Sequence, residues 1–240
     1  MSERKCIVFG ANGAIGSAIC QYLASQGCRV FAVARRAETI TAAVSEQGIA
    51  AVAWDVMASP STPPQALRGV RADAIVWAQG ANCADNIHSF DLSAHNALYA
   101  ANVSFIPVSL QALLRHDGVE QPCRMCVISS IWQDVARQNK LSYCTTKSAL
   151  RGLVQSLCVD LGADGHLINA VLPGALDTPM TRANLSSAQI ATLESMTPLD
   201  SLPVMTDVCG LVAFLCGEHN TGISGQFIAA DKGFSHVKIL

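Results

Sequence analysis

The chain has 240 residues, of which 50% are apolar and 14% charged, with a formal net charge of −2. That composition is too apolar and too weakly charged for a disordered chain, and sixteen Lys+Arg against eighteen Asp+Glu give no basic excess for a phosphate backbone, which excludes nucleic acid as a partner. The mean hydropathy is positive, but the apolar residues come in short pieces and none approaches the ~18 uninterrupted residues of a membrane span.

In chain order, residues 5–9 read as an apolar strand, followed by a glycine turn and a helix over 14–26 with Ile15, Ile19 and Leu23 at helical spacing. A strand is expected over 29–34, a helix over 38–47 ended by Gly48, and a strand over 50–54. Residues 59–64 form a Pro/Ser-rich turn before a short helix to Gly69. Strands follow over 73–78 and 124–129, separated by a long helix over 94–116. A second long helix covers 142–161, then a strand over 167–172, an irregular lid-like segment over 175–203, a helix over 207–216 and a last strand over 226–230. This alternation predicts an α/β architecture: one doubly wound, Rossmann-type domain over residues 1–240, with a seven-stranded, mostly parallel sheet and helices on both faces.

Four apolar residues, Cys6–Ile7–Val8–Phe9, are too few for a secretory signal core, so a cytoplasmic protein is expected. Ten scattered cysteines then read as small buried hydrophobes. Cys123 and Cys126 form one Cys-x-x-Cys, but no second pair stands at zinc spacing and the pair leads into a strand, so neither a metal nor a redox site is expected. The six histidines show no ligand-like spacing.

Gly10, Gly13 and Gly16 stand where the first strand hands over to the first helix. Glycines there allow a tight turn, close approach of a pyrophosphate and close helix–strand packing, and the helix end faces the anion. After the second strand come Arg35 and Arg36, with no carboxylate to hold a ribose 2′-hydroxyl. A guanidinium fork suits a 2′-phosphate, so NADP(H) is expected over NAD(H). Asp55, after the third strand, can receive an adenine amino group or cap its own turn.

Tyr143 and Lys147 lie at i and i+4 on one face of the second long helix. An ammonium beside a phenol favours phenolate, and such a phenol can exchange a proton with an alcohol oxygen. Ser130 closes the fifth strand, where a hydroxyl can polarise a substrate carbonyl. Asn102 sits inside a helix against its propensity; its amide holds a backbone carbonyl or a water, or it is simply exposed.

With these motifs in this order, the whole chain resembles the short-chain dehydrogenase/reductase superfamily in its compact form. The cofactor turn matches at Gly10, Asn12, Gly13, Ile15 and Gly16, and Asp55–Val56 matches the Asp-Val after the third strand. Asn102, Ser130, Tyr143 and Lys147 match the catalytic tetrad, and Gly80, Pro173, Gly174 and Thr178 match further cofactor contacts. The resemblance implies a small carbonyl or secondary-alcohol substrate, Tyr143 as general acid or base, Lys147 lowering its pKa and holding the nicotinamide ribose, Ser130 polarising the substrate oxygen, and Asn102 positioning a water. It implies a homodimer or homotetramer formed through the two long helices, which carry Leu110, Leu113, Leu114, Leu150, Leu153, Val154 and Leu157.

The departures are specific. Phe9 stands where the family usually has Thr, and Ala14 where it has its second glycine. The usual Asn-Asn-Ala-Gly after strand four is Trp77–Ala78–Gln79–Gly80, and Lys232 replaces a glycine near the end. Two other readings stand beside a ketoreductase-like enzyme: a nucleotide-binding sensor or scaffold without turnover, suggested by the altered 77–80 segment, and a nucleotide-dependent epimerase or dehydratase, suggested by the glycine spacing. Trp132 is an apolar wall of the crevice or a cover for the core.

Overall fold

The structure is a computed structural model that describes residues 3–40 and 48–237. Seven strands form one parallel sheet: β1 (Lys5–Phe9), β2 (Arg29–Ala34), β3 (Ile49–Ala53), β4 (Ala72–Trp77), β5 (Val119–Ile128), β6 (Leu167–Pro173) and β7 (Phe227–Ala230). Their spatial order is β3-β2-β1-β4-β5-β6-β7. The chain winds outward from β1 in one direction and, after crossing back to β4, in the other. The order therefore reverses between β1 and β4, where a crevice opens at the carboxyl ends of the strands.

Strand pleating divides the core in two. Ile7 and Phe9 face one side of the sheet, together with Ile75, Trp77, Met125 and Ile168. Cys6 and Val8 face the other, with Val30, Ala32, Val76 and Cys126. The second face is covered by α1 (Ala14–Ser25) and α7 (Met205–Leu215), through Ile19, Leu23, Val208, Val212 and Leu215. The first is covered by the helical run 92–115 and by α4 (Leu141–Gly162). Each buried aliphatic or aromatic side chain contributes ~1.5–3 kcal/mol of transfer free energy.

The run 92–115 is one rod with a π-helical segment: α2 (Leu92–Tyr99), Ala100–Ser104, and α3 (Phe105–Arg115). It is long and apolar enough by length and composition to cross a membrane. Its Val103, Ile106, Leu110 and Leu113 instead pack on the sheet. Of the leucines and valine read as intersubunit contacts, Leu110, Leu113, Leu150 and Val154 are buried within the subunit. Leu153 and Leu157 are half-buried, and Leu114 is exposed.

Three expectations change in detail. The strand expected over 124–129 begins at Val119 and ends at Ile128. The lid segment contains two short helices, α5 (Pro179–Asn184) and α6 (Ser187–Ser195), the second opened by a Ser186/Gln189 capping box. Of the helix expected over 38–47, the described part is a single 3₁₀ turn, Ala37–Thr39, and residues 41–47 lie outside the described residues. Cys123 and Cys126 belong to opposite faces of the sheet, so this Cys-x-x-Cys does not form a pair. No cluster of metal-ligating side chains exists among the described residues.

Candidate active site

The glycine turn is built by steric necessity. Gly10 has φ +75°, and a Cβ there would strike the backbone of Ala78 and Gln79. A Cβ on Gly16 would fall on the Gly10 carbonyl. Gly13 donates to the Gly10 carbonyl at 3.0 Å and is the N-cap of α1 without a side-chain cap. The first turn of α1 holds no acidic residue, so its free N–H groups and positive end are left for an anion. Asn12 is exposed and Ile15 half-buried on either side of Gly13. This cradle, clear of side chains, fits a dinucleotide pyrophosphate.

Arg35 and Arg36 are exposed just beyond β2, and neither enters an ion pair among the described residues. Asp55 caps its own turn by accepting from the Ala58 N–H at 3.3 Å, while Val56 is buried in the core. Pro173 ends β6 inside the core. Gly174 lies against Asp231 and Pro203, where a Cβ would come within 2.9 Å of the Asp231 Cβ. Thr178 is the N-cap of α5 and its hydroxyl accepts from the Thr181 N–H at 3.2 Å.

The exposed-residue reading of Asn102 is overturned: it is 1% exposed, inside the π-helical segment. Its Oδ1 accepts from the Ala81 N–H at 2.7 Å, and its Nδ2 donates to the Ala81 carbonyl at 3.1 Å and to Thr146 Oγ1 at 2.9 Å. Thr146, fully buried, in turn donates to the Tyr143 carbonyl at 2.9 Å. Both amide protons are thus spent on protein. The side chain anchors the segment after β4 to α4, and does not offer those protons to a water. Gly80 lies between them, with its Cβ direction 3.0 Å from Asn102 Oδ1 and 3.9 Å from Lys147 Nζ.

Tyr143, Lys147 and Ser130 come together at the carboxyl end of the sheet. Lys147 Nζ lies 5.7 Å from the centre of the Tyr143 ring and donates to the Ile128 carbonyl at 3.1 Å. The Ser130 hydroxyl faces the Tyr143 phenol and favours its ionised form. Ser130 Oγ also accepts from the Trp132 N–H at 3.2 Å. The expected depression of the Tyr143 pKa is not what the environment produces. Burial raises the phenol above its ordinary value, and the Ser130 hydroxyl opposes that rise. Burial also pulls the Lys147 ammonium down to about 8. Desolvation thus favours the neutral form of both groups.

The segment after Gly80 is pinned to the start of α4 by side chains that sequence reading did not single out. Asp85 accepts from the Ser142 N–H at 3.1 Å and from the Ser142 hydroxyl at 2.5 Å. Ser142 Oγ has given its only proton to Asp85, so it accepts from His95 Nδ1–H at 2.8 Å. Lys140 Nζ donates to Asn82 Oδ1 and to the Cys83 carbonyl. Partners 57 residues apart carry no local signal in sequence. Trp132 is a wall as well as a cover: with Leu193, Leu202, Pro203 and Phe234 it lines a small apolar cavity beside the 175–203 segment. Lys232 sits at φ +53°, a left-handed conformation that accounts for the glycine usual at this position.

A family described as enoyl-(acyl carrier protein) reductase matches residues 10–235. The chain is 28% identical over 245 residues to cis-4-hydroxycyclohexanecarboxylate dehydrogenase of Sinomonas cyclohexanicum, covering 98% of each. A crystal structure of an oxidoreductase of the short chain dehydrogenase/reductase family from Burkholderia thailandensis superimposes with a TM-score of 0.89 at 25% identity, over 99% of this chain and 95% of that one. A gluconate 5-dehydrogenase from Burkholderia cenocepacia, solved with NADP and tartrate, shares the fold with a TM-score of 0.88 at 22% identity, over 99% of this chain and 97% of that one.

Proposed function

The chain belongs to the short-chain dehydrogenase/reductase superfamily of oxidoreductases, and from that premise we propose that it is an NADP(H)-dependent enzyme interconverting a carbonyl and a secondary alcohol. The observation that carries this reading is the convergence of Ser130, Tyr143 and Lys147 at the carboxyl ends of the strands, beside the glycine turn.

The nicotinamide supplies or accepts the hydride when bound. The chain's own part is placement and proton transfer. Gly10, Gly13 and Gly16 clear the space for the pyrophosphate at the α1 end, and the exposed Arg35 and Arg36 favour a nucleotide with a 2′-phosphate. Lys147 holds the nicotinamide ribose. Ser130 donates to the substrate oxygen and polarises the carbonyl. Tyr143 gives its phenolic proton to that oxygen as the carbinol carbon forms, and takes it back in the oxidative direction. Burial keeps the phenol protonated, the form that can donate to the substrate oxygen. Asn102 supports the site through Ala81 and Thr146.

The altered 77–80 segment does not favour a scaffold without turnover, because Trp77 points into the core and takes nothing from the catalytic groups. Exposed apolar residues on the long helices, Tyr99, Leu114 and Val159, support assembly as a homodimer or homotetramer.

Tyr143→Phe tests the mechanism. Carbonyl-dependent NADPH oxidation should fall by at least ~10²-fold, the scale of a lost general acid, while NADPH binding, followed by its fluorescence, is retained. Unchanged turnover in this variant excludes the mechanism.

A further inference from the structure

The segment between Ser130 and Tyr143 carries two cations that the mechanism leaves unused. The Arg137 guanidinium lies over the Trp132 ring, its carbon 5.5 Å from the ring centre. Trp132 is tied to a reacting group, because its N–H donates to Ser130 Oγ at 3.2 Å, and its ring meets Phe234 edge-on at 6.2 Å. Lys140 Nζ stands 6.0 Å from the centre of the Tyr143 ring. It donates to neutral oxygens, Asn82 Oδ1 at 2.9 Å and the Cys83 carbonyl at 2.7 Å. Neither cation enters an ion pair among the described residues. The carboxylates of the adjoining segments are engaged elsewhere: Asp85 with Ser142, Asp134 with Arg151, and Asp231 with the Gly233 and Ser235 amides. The aromatic ring next to each catalytic hydroxyl therefore has a cation on it, and that positive charge faces an apolar wall of Trp132, Leu193, Leu202 and Phe234.

We propose that the substrate is an oxo acid, reduced to the hydroxy acid, whose carboxylate is held by Arg137 and Lys140 while its carbonyl meets Ser130 and Tyr143. The chemistry selects the class. A guanidinium held flat on an indole ring presents its donors as a fixed fork, which matches a carboxylate, and a lysine adds a point charge with a third proton to give. Such charge-assisted bonds are stronger than neutral ones. They lie away from the reacting carbon, so they serve to orient the carbonyl. The carboxylate itself takes no part in the hydride and proton transfers and leaves the reaction unchanged. The proposal rests on the carbonyl-reduction reading above.

The test separates charge from shape and binding from turnover. The protein saturated with NADP+ has no hydride to give, so ketone binding is read alone, by calorimetry, with 4-acetylbenzoate and with methyl 4-acetylbenzoate. The acid should bind at least ~10-fold more tightly than the ester, and added NaCl should shrink that advantage. Arg137→Gln should lose about tenfold in affinity for the acid, with the Kd of the ester held to within about twofold, and Arg137→Lys should recover part of the loss. Equal binding of acid and ester by the parent overturns the proposal, as does binding of neither. Equal losses for both ligands in Arg137→Gln also overturn it, because they would mark a residue that only supports Trp132. If the parent does not bind NADP+, the cofactor reading fails, and this proposal falls with it.

Discussion

Phe9 and Trp77 are paired in the β1–β4 register and stack with ring planes 8° apart and centroids 6.1 Å apart. Trp54 and Phe105 close the cluster at 5.7 and 5.5 Å from Phe9, and Trp77 Nε1 donates to the buried Ser109 hydroxyl at 2.9 Å. Two departures from the family pattern, at Phe9 and Trp77, are therefore one change. An aromatic layer fills the place of polar side chains directly beneath the glycine turn. Phe9→Ala should lower unfolding stability by ~3–5 kcal/mol, measured in urea. The Phe9→Ala/Trp77→Ala pair should show a coupling of ~0.5–1.5 kcal/mol in a double-mutant cycle. Strict additivity would mean the stack contributes nothing beyond buried area.

Lys147 yields a pH prediction. Its ammonium titrates near 8 in the folded chain because it is desolvated, against about 10.4 when unfolded. Between those values the unfolded chain binds the proton and the folded chain does not, so this group makes stability rise with pH from about 8 to about 10.4. Below about 8 both states carry the charge and the full burial cost is present. Cys20 and Cys209, whose thiols burial raises to about 12 and about 11, act in the opposite sense, because the folded state keeps protons that the unfolded state loses. The Lys147 part is therefore read as a difference from the parent. Lys147→Met should be more stable than the parent at pH 7, with the margin shrinking by pH 10. A margin independent of pH would refute the depressed ammonium.

The proposed preference for NADP(H) rests on Arg35 and Arg36, which enter no ion pair among the described residues. Replacing Arg35 and Arg36 by Ala removes charge-assisted bonds worth ~1.5–3 kcal/mol each, so KM for NADPH should rise at least ~10-fold while KM for NADH stays within about threefold. Equal effects on the two would rule out contact with a 2′-phosphate.

Asp85 and Ser142 tie the segment after β4 to the first turn of α4, one residue before Tyr143. The Ser142 hydroxyl and amide hold the Asp85 carboxylate below its ordinary pKa. A depressed folded pKa means this support is present above the unfolded value and is lost as pH falls through the folded one. Ser142→Ala should lower kcat roughly tenfold or more by displacing Tyr143, when assayed well below its melting temperature. A fall in melting temperature with kcat unchanged would make the tie purely structural. Adding Asp85→Asn should cost little more, because the two residues share one network.

Much of the fold was legible in the sequence, because the period of the apolar residues changes between strand and helix at every crossover, and that period is a local property. The turn of Gly10, Gly13 and Gly16 and the Tyr143/Lys147 pair were legible for the same reason: each is set within one turn or one helix face. Tertiary structure decided what those groups meet. It buried Asn102 and committed its amide to Ala81 and Thr146, 21 and 44 residues away. It stacked Phe9 on Trp77 and fastened Asp85 to Ser142. It also reversed the expected sense of the Tyr143 pKa shift, since desolvation depends on what surrounds a side chain in three dimensions. Spacing along one helix places a lysine beside a phenol, but parallel crossovers joining distant segments determine how much water either retains.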